Sequence, residues 1–132
     1  MRRLWTILLI LCFSAPGFSH EDKTDDVFIP IAKYVRLGDA DRLSAWFDDT
    51  VEVGIYGPGR DVSRRQARQL MRSFFASHQP QSFRVSHTAG KLRVKYAIGT
   101  LKTGGETSVV TIFVTRKENG YRIQQLKVEK VE

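Results

Sequence analysis

The spacing of hydrophobic residues divides the chain into a helical first part and a strand-rich second part. Between residues 27 and 77, apolar side chains recur three and four positions apart, whereas after Pro80 they alternate with polar ones. One alternating stretch interrupts the helical part, at Val51, Val53 and Ile55. The pattern therefore predicts two helices, one strand, a third helix, and then a run of four strands.

The predicted helices have recognisable ends. The first carries Pro30 in its first turn and ends at Gly38, and its N-cap and first-turn residues are Thr24, Asp25 and Asp26. Asp39 caps a second, shorter helix whose apolar face is Leu43, Trp46 and Phe47. The third helix follows a capping box at residues 63–66, and its apolar face is Ala67, Leu70, Met71, Phe74 and Phe75.

The four later strands are predicted to be joined by tight turns. Gly104-Gly105 and Asn119-Gly120 are two-residue hairpin signals. A turn at Gly57-Pro58-Gly59 closes the earlier strand. At Gln124-Gln125 the alternation slips by one residue, which predicts a β-bulge. The residues predicted to share the apolar face are Phe83, Val85, His87, Leu92, Val94, Tyr96, Ile98, Val110, Ile112 and Val114.

Three helices cannot cover both faces of such a sheet. They are expected to pack on one face while the sheet curls around them. The predicted fold class is therefore α+β, a half-open cone formed by a single domain at residues 27–132.

The first residues have the layout of a cleaved secretory signal. Arg2 and Arg3 precede an uncharged apolar run at residues 4–13, which is too short to span a bilayer as a helix, since about 20 residues are needed. Small residues at Gly17 and Ser19 predict cleavage after Ser19. An uncleaved anchor is the alternative, and bulky Leu11 argues against a lipidated Cys12.

This layout predicts a signal peptide at residues 1–19, a flexible leader at residues 20–26, and export to the periplasm or the extracellular space. Cys12, the one cysteine among the 132 residues, would leave with the signal. A disulfide, a cysteine nucleophile and a cysteine-ligated zinc site are then excluded. The net charge of +7 falls to +5 once two arginines are removed. This charge suits an anionic partner, but nucleic acid is not expected outside the cytoplasm.

Several segments resemble a known family. The segments "FIPIAKYVRLGDADRLSAWFDDTVEVGI", "SRRQARQLMRSFFASHQP" and "HTAG", followed by "YAIGTL", resemble a family of small exported bacterial proteins described as a domain of unknown function. The resemblance covers the mature chain. It implies a nuclear transport factor 2-like (cystatin-like) fold, with three helices packed on the concave face of a curved, mostly antiparallel sheet. It implies no activity.

The same superfamily contains ketosteroid isomerases, polyketide cyclases and dehydratases. The segment "FDDTVEV" is similar to the isomerase segment that leads into the catalytic carboxylate, but Val53 stands where that carboxylate is expected. Valine cannot move a proton next to a carbonyl group. Isomerase chemistry is therefore not expected.

A pocket inside the cone is the first candidate site. Its predicted lining is Tyr34, Trp46, Phe74, Val85, His87, Tyr96 and Ile112. His87 is either a general base or a buried, hydrogen-bonded histidine. The sequence therefore predicts a non-catalytic module that binds a small apolar ligand or pairs with a second copy as a homodimer. The alternative is a small dehydratase or cyclase that uses the pocket histidine.

No metal and no cofactor are predicted. His78 falls at the end of the third helix, where it can contact the last carbonyl groups. Pro80 separates it from His87, so the two rings are not expected to converge on one ion. No stable membrane anchor is expected after cleavage.

The third helix also carries a second candidate site, a stripe of arginines. Arg64, Arg68 and Arg72 are spaced four residues apart, and Arg65 is adjacent. Like charges at this spacing repel, and the first two arginines lie at the end of the helix dipole that disfavours cations. The stripe is interpreted either as a surface for an anion or anionic partner, or as the solvated back of the helix.

Overall fold

The structure, a computed structural model, describes residues 27–131. The predicted signal peptide, the leader and the expected capping residues Thr24, Asp25 and Asp26 lie outside the described residues. Within them no helix is long and apolar enough to cross a membrane. The elements are α1 (Phe28–Leu37), α2 (Ala40–Ser44), β1 (Phe47–Ile55), β2 (Arg60–Ser63), α3 (Arg64–Ser77), β3 (Pro80–Gly90), β4 (Val94–Thr103), β5 (Glu106–Lys117) and β6 (Gly120–Lys130).

The six strands form one mixed sheet in the order β2-β1-β6-β5-β4-β3. β3 to β6 are a meander of antiparallel neighbours, as predicted. β1 pairs with β6 in parallel and with β2 in antiparallel orientation. The last strand along the chain therefore lies in the middle of the sheet, which brings the helical and strand-rich parts together.

The predicted helix ends are largely confirmed. Gly38 ends α1 with a left-handed φ of 68°, which glycine adopts at little cost. The Ser63 hydroxyl accepts from the Gln66 N–H at 3.1 Å, and the Gln66 side chain accepts from the Ser63 N–H at 3.2 Å. This is the predicted capping box.

One buried cluster joins the helices to one face of the sheet. Its largest fully buried side chains include Phe47, Leu43, Met71, Ile112 and Leu126. We call the opposite face of the sheet, against which none of the three described helices packs, the outer face. The predicted α+β arrangement, with the helices packed on one face of the sheet, is confirmed.

The second helix is shorter than predicted. It ends at Ser44, and Phe47 begins β1 instead of continuing the helical face. The reason is backbone pairing with β6, because Phe47 lies opposite Ile123 and the Ile123 N–H donates to the Trp46 carbonyl at 2.6 Å. The same contact starts β1 four residues before Val51. The edge strand β2 was not predicted, because Val62 is its one apolar residue.

The turns and the bulge lie close to their predicted positions. Gly104-Gly105 joins β4 to β5. The β5–β6 turn is Glu118-Asn119, one residue earlier than predicted, and Gly120 follows it with φ 110°. Phe113 pairs with Gln125 whereas Val114 pairs with Ile123, so Gln124 is the extra residue of the predicted bulge.

Candidate functional site

The seven residues predicted to line one pocket are divided between the two sides of the sheet. Phe74 and Ile112 belong to the buried core, and three others are partly buried against it, namely Tyr34, Trp46 and Val85. His87 is exposed and Tyr96 is half-buried, both on the outer face. The prediction that these residues line one cavity is wrong, because the core side chains contact one another and the remaining two residues face away.

A bulge in β3 explains the error at His87. Val85 lies opposite buried Gly99, but His87 lies opposite Ile98, so Ser86 is an extra residue in β3. One inserted residue moves every following side chain to the other face. The ring of His87 accordingly meets Tyr96, with centroids 5.9 Å apart. Its predicted inward placement is wrong.

The predicted apolar face of β4 is likewise the wrong one. Ala97 and Leu101 are buried, and they alternate with Tyr96 and Ile98 on the outer face. Leu92 precedes β4 and is 67% exposed. The residues of β4 that face the core include alanine and glycine, whereas the larger Tyr96 and Ile98 lie on the outer face. The position of the large hydrophobic residues therefore predicted the wrong face as the buried one.

An apolar groove lies beside Trp46, and we call it the Trp46 groove. It has a volume of about 650 Å³ and lies where α2 ends and β6 begins. Trp46 and Tyr121 provide its aromatic walls, and Val27 adds an aliphatic one. The Tyr121 hydroxyl donates to the Leu92 carbonyl at 2.7 Å, which fixes the ring. An apolar surface with one fixed aromatic side chain can bind a flat ligand.

Positive charges surround this groove. Lys95 and Arg122 contribute to its lining. The Lys95 Nζ lies 5.0 Å from the centroid of the Tyr121 ring, and the Arg116 guanidinium lies 5.9 Å from it. Arg122 also donates to the Ala45 carbonyl at 2.6 Å, so it is held in place. Trp46 was predicted as a site residue from the sequence but Tyr121 was not, although the turn before β6 was visible.

A polar cluster lies at the opposite end of the strands. Tyr56 follows β1 with a left-handed φ of 58°, a conformation that costs a non-glycine residue about 1–3 kcal/mol. Its hydroxyl donates to Glu106 at 3.2 Å and lies 3.0 Å from the Ser108 hydroxyl. Ser108 is fully buried, and Lys130 lies 5.2 Å from the Tyr56 ring centroid. These contacts offset the backbone strain.

His78 packs against the same cluster. Its ring stacks on Phe74 at 4.6 Å, and its Nδ1 lies 3.3 Å from the Phe74 carbonyl oxygen. The predicted contact with the end of the helix is thus confirmed. Its Nε2 also lies 3.7 Å from Glu106 Oε1, beside a groove of about 550 Å³. Glu106 was missed because its position directly after a glycine turn indicates only an exposed residue.

The arginine stripe is partly paired. Arg64 contacts Asp49 at 3.0 Å and donates from Nε to the Phe47 carbonyl at 3.1 Å. Arg72 forms an ion pair with Asp41 of α2. Two of the four arginines therefore hold α3 to neighbouring elements, and neither of the two sequence interpretations included this role.

Asp48 is the acidic group with the clearest electrostatic perturbation. Burial raises the pKa of its carboxyl group, but a hydrogen bond from the Asp49 N–H at 2.8 Å and the Lys117 ammonium group at 3.2 Å outweigh burial. The pKa of Asp48 is therefore below its ordinary value. Gln124 donates to the same carboxylate. Asp48 is a partner of β5 and β6 and does not approach His87.

No group of three or more potential metal ligands lies within residues 27–131. His78 and His87 lie on opposite faces of the sheet, so the expectation that they do not share an ion agrees with their placement. Val53, where the resemblance to the isomerase segment would place a carboxylate, is buried in the core. The absence of metal and cofactor stays a prediction.

Comparison with known proteins identifies the family. Residues 28–129 match a family model described as a domain of unknown function, DUF4783. The chain belongs to the DUF4783 family. Among functionally curated proteins, none matches it.

Solved structures support both the family and the fold. A DUF4783 protein from Bacteroides ovatus ATCC 8483 is 25% identical over 79% of this chain and 94% of its own, with a TM-score of 0.76. One from Bacteroides fragilis YCH46 is 26% identical over 78% and 97%, with a TM-score of 0.74. An NTF-2 like protein of unknown function from Silicibacter pomeroyi DSS-3 is 14% identical over 86% and 98%, with a TM-score of 0.62. The predicted nuclear transport factor 2-like fold is confirmed.

Proposed function

We propose that this DUF4783 domain is a non-catalytic binding module whose ligand occupies the Trp46 groove. The ligand class is a small molecule with a flat apolar body and one anionic group. The observation that carries this proposal is the pairing of Trp46 and Tyr121 as aromatic walls with Lys95 and Arg122 at their edge. The predicted apolar ligand is thus moved from the interior of the cone to its end.

Both parts of the ligand have a physical counterpart in the groove. Burying apolar surface contributes roughly 25 cal/mol per Å², and a flat ring can pack against either aromatic wall. An anionic group would interact with Lys95 and with the fixed guanidinium of Arg122.

The chemistry of the lining favours binding over catalysis. The described residues that line the groove include neither histidine nor a carboxylate, the usual groups for proton transfer. The Tyr121 hydroxyl already donates to a carbonyl group. We therefore propose recognition without turnover.

Export is part of the proposal and rests on the predicted signal at residues 1–19. The domain would then bind its ligand in the periplasm or the extracellular space. Cleavage would also remove Trp5 and leave Trp46 as the single tryptophan of the mature chain. Intrinsic fluorescence would then report on this groove alone.

The test uses the mature chain, residues 20–132, and the fluorescent probe 1-anilinonaphthalene-8-sulfonate, which combines aromatic rings with a sulfonate. We expect saturable quenching of Trp46 fluorescence. Tyr121→Ala and Lys95→Gln should each weaken binding by about tenfold, the equivalent of 1.4 kcal/mol. The matched control is Tyr96→Ala, which removes a half-buried tyrosine from the outer face.

Two results would contradict the proposal. One is unchanged probe affinity in both Tyr121→Ala and Lys95→Gln. The other is an equal loss in Tyr96→Ala. Circular dichroism of every variant excludes unfolded protein, which binds this probe through exposed apolar surface.

A catalytic role has one specific observation in its favour, the pair formed by His78 and Glu106. They provide the histidine and acid that a small dehydratase or cyclase would need, and they share a groove. His87, the histidine predicted for this role from the sequence, is exposed on the outer face. Mass spectrometry of a ligand retained by the purified protein, before and after incubation, tests this alternative. Turnover that is lost in His78→Phe but kept in His87→Phe would favour the enzyme.

A further inference from the structure

The Trp46 groove has a positive edge. Lys95 and Arg122 line the groove, and the Arg116 guanidinium lies beside its tyrosine wall, 5.9 Å from the ring centroid. Neither Arg116 nor Arg122 forms an ion pair with a carboxylate in the described part of the chain. Arg122 donates instead to the neutral Ala45 carbonyl. Neighbouring positive groups create a potential that favours a negatively charged partner.

The chain enters the described domain at this same groove. Val27, the first described residue, contributes to the groove lining. The predicted leader, residues 20–26, directly precedes it in the sequence. Because a chain spans at most about 3.3–3.6 Å per residue, Asp25 lies within about 7 Å of Val27 and Glu21 within about 20 Å. The groove is therefore within reach of the leader.

The leader carries the charge that the groove lacks. Its sequence, "HEDKTDD", contains four carboxylates and one lysine, a net charge of −3 with histidine neutral, whereas the whole chain has a net charge of +7. Four of the 14 acidic residues of the chain thus fall within seven positions. Charges this close to the groove attract it at physiological ionic strength, where the screening length is about 8 Å.

Helix capping does not account for this acidic segment. The N-cap residue of α1 is Val27, and no side-chain hydrogen bond caps the helix there. A side-chain cap is provided by the residue at the N-cap position itself, and the acidic residues of the leader all precede that position. The groove is the positively charged surface next to them.

We propose that the leader, residues 20–26, folds back onto the Trp46 groove and places its carboxylates on the positive edge formed by Lys95 and Arg122. Exposed ion pairs are individually weak. A short connection to the same domain nevertheless provides an effective concentration in the millimolar range, so weak pairs are sufficient for an intramolecular contact.

This contact would make the groove self-occupied. The leader takes the positions that the anionic group of the proposed ligand needs, so an incoming ligand must displace it. The competition rests on the function proposed for the groove, whereas the contact between leader and groove does not. The two are therefore tested separately.

The first test needs no ligand. ¹⁵N-resolved NMR spectra of the mature chain are compared with those of a leader variant, Glu21→Gln with Asp22→Asn. We expect changed chemical shifts at the amides of residues 120–122 and at the indole N–H of Trp46, which is the single tryptophan of the mature chain. The differences should disappear in about 1 M sodium chloride, where the screening length is about 3 Å.

The matched control removes two carboxylates far from the groove. Asp61→Asn with Glu129→Gln changes the net charge by the same amount, at exposed positions of β2 and of the last part of β6. The groove resonances should be unchanged in this control, because a general change in net charge is not the proposed cause.

Competition is measured with 1-anilinonaphthalene-8-sulfonate. If the leader covers the groove in about two thirds of the molecules, the leader variant should bind the probe about threefold more tightly than the unmodified chain. The gain should be smaller in a Lys95→Gln background, because part of the positive edge is then missing. The control pair should show no gain.

Two NMR results would overturn the proposed contact. One is an equal response of the groove resonances to the leader variant and to the control pair, or no response to either. The other is a response limited to residues 27–29, which would mean that the leader affects only the start of α1. Shifted groove resonances with unchanged probe affinity would confirm the contact and refute the competition. Failure of the probe to bind any of these chains would contradict the function proposed for the groove and would leave the NMR test intact.

Discussion

Replacing Tyr56 by phenylalanine would remove the hydroxyl group that connects the end of β1 to β5. That hydroxyl donates to Glu106 at 3.2 Å, so its single proton is committed. The Ser108 hydroxyl, 3.0 Å away, must therefore be the donor in the second hydrogen bond. Ser108 is 0% exposed, so Tyr56→Phe leaves its buried hydroxyl without this acceptor.

The expected cost follows from these contacts. An ordinary hydrogen bond contributes about 0.5–1.5 kcal/mol, and a buried donor left without an acceptor costs about 1–3 kcal/mol. The contact with Glu106 is half-buried and adds little. Tyr56→Phe should therefore lower the free energy of unfolding by about 1–3 kcal/mol. The ring contacts with Phe74 at 5.8 Å and with His78 at 5.6 Å should be unchanged.

A double-mutant cycle with Ser108→Ala isolates this interaction. In the double variant no hydroxyl is left without a partner, so it should be less destabilised than the sum of the single variants, by about 1 kcal/mol. Urea unfolding of the mature chain, followed by circular dichroism, gives the four free energies. Additive single variants, with no coupling energy, would refute this reasoning.

Two further predictions concern the sheet. Gly99→Ala should destabilise the domain by about 1–3 kcal/mol, because its Cβ would lie 2.6 Å from the Phe83 ring. Urea unfolding measures this loss, and Gly104→Ala, in open space, is the control; equal effects would contradict the packing argument. The pKa of Asp48 is lowered on folding, so its stabilising contribution is present above its unfolded pKa of about 3.9 and is lost as the pH falls through the folded value. Unfolding free energies from pH 5 to pH 2.5 should fall less steeply in Asp48→Asn and in Lys117→Met than in the unmodified protein, and identical slopes would show that Asp48 is not the group responsible.

The local elements were predictable from the sequence because short-range chemistry determines them. The Ser63 capping box, the glycine turn at residues 104–105 and the slip at Gln124 each appear where residue type alone places them. The helix α3 was clear since its apolar residues repeat at helical spacing over 14 residues. These features, with the order of the elements, were sufficient for the fold class.

The candidate sites depended on contacts between distant residues. The sequence gives no sign of the extra residue at Ser86 that turns His87 outward, because a bulge is defined by pairing with the neighbouring strand. Nor does it indicate that residues 46 and 47 leave α2 to pair with β6. Both events are decided by backbone hydrogen bonds across the sheet, which override local helical or alternating patterns.

The sequence by itself determined the fold class of a small α+β domain, its turns and helix caps, its basic charge, and a predicted signal. What only the tertiary structure decided is which side chains meet. Trp46 and Tyr121 are 75 positions apart in the chain, and Tyr56 and Ser108 are 52 apart. Their proximity follows from placing β6 between β1 and β5. Strand order is set by the whole buried core at once, and no local pattern encodes it.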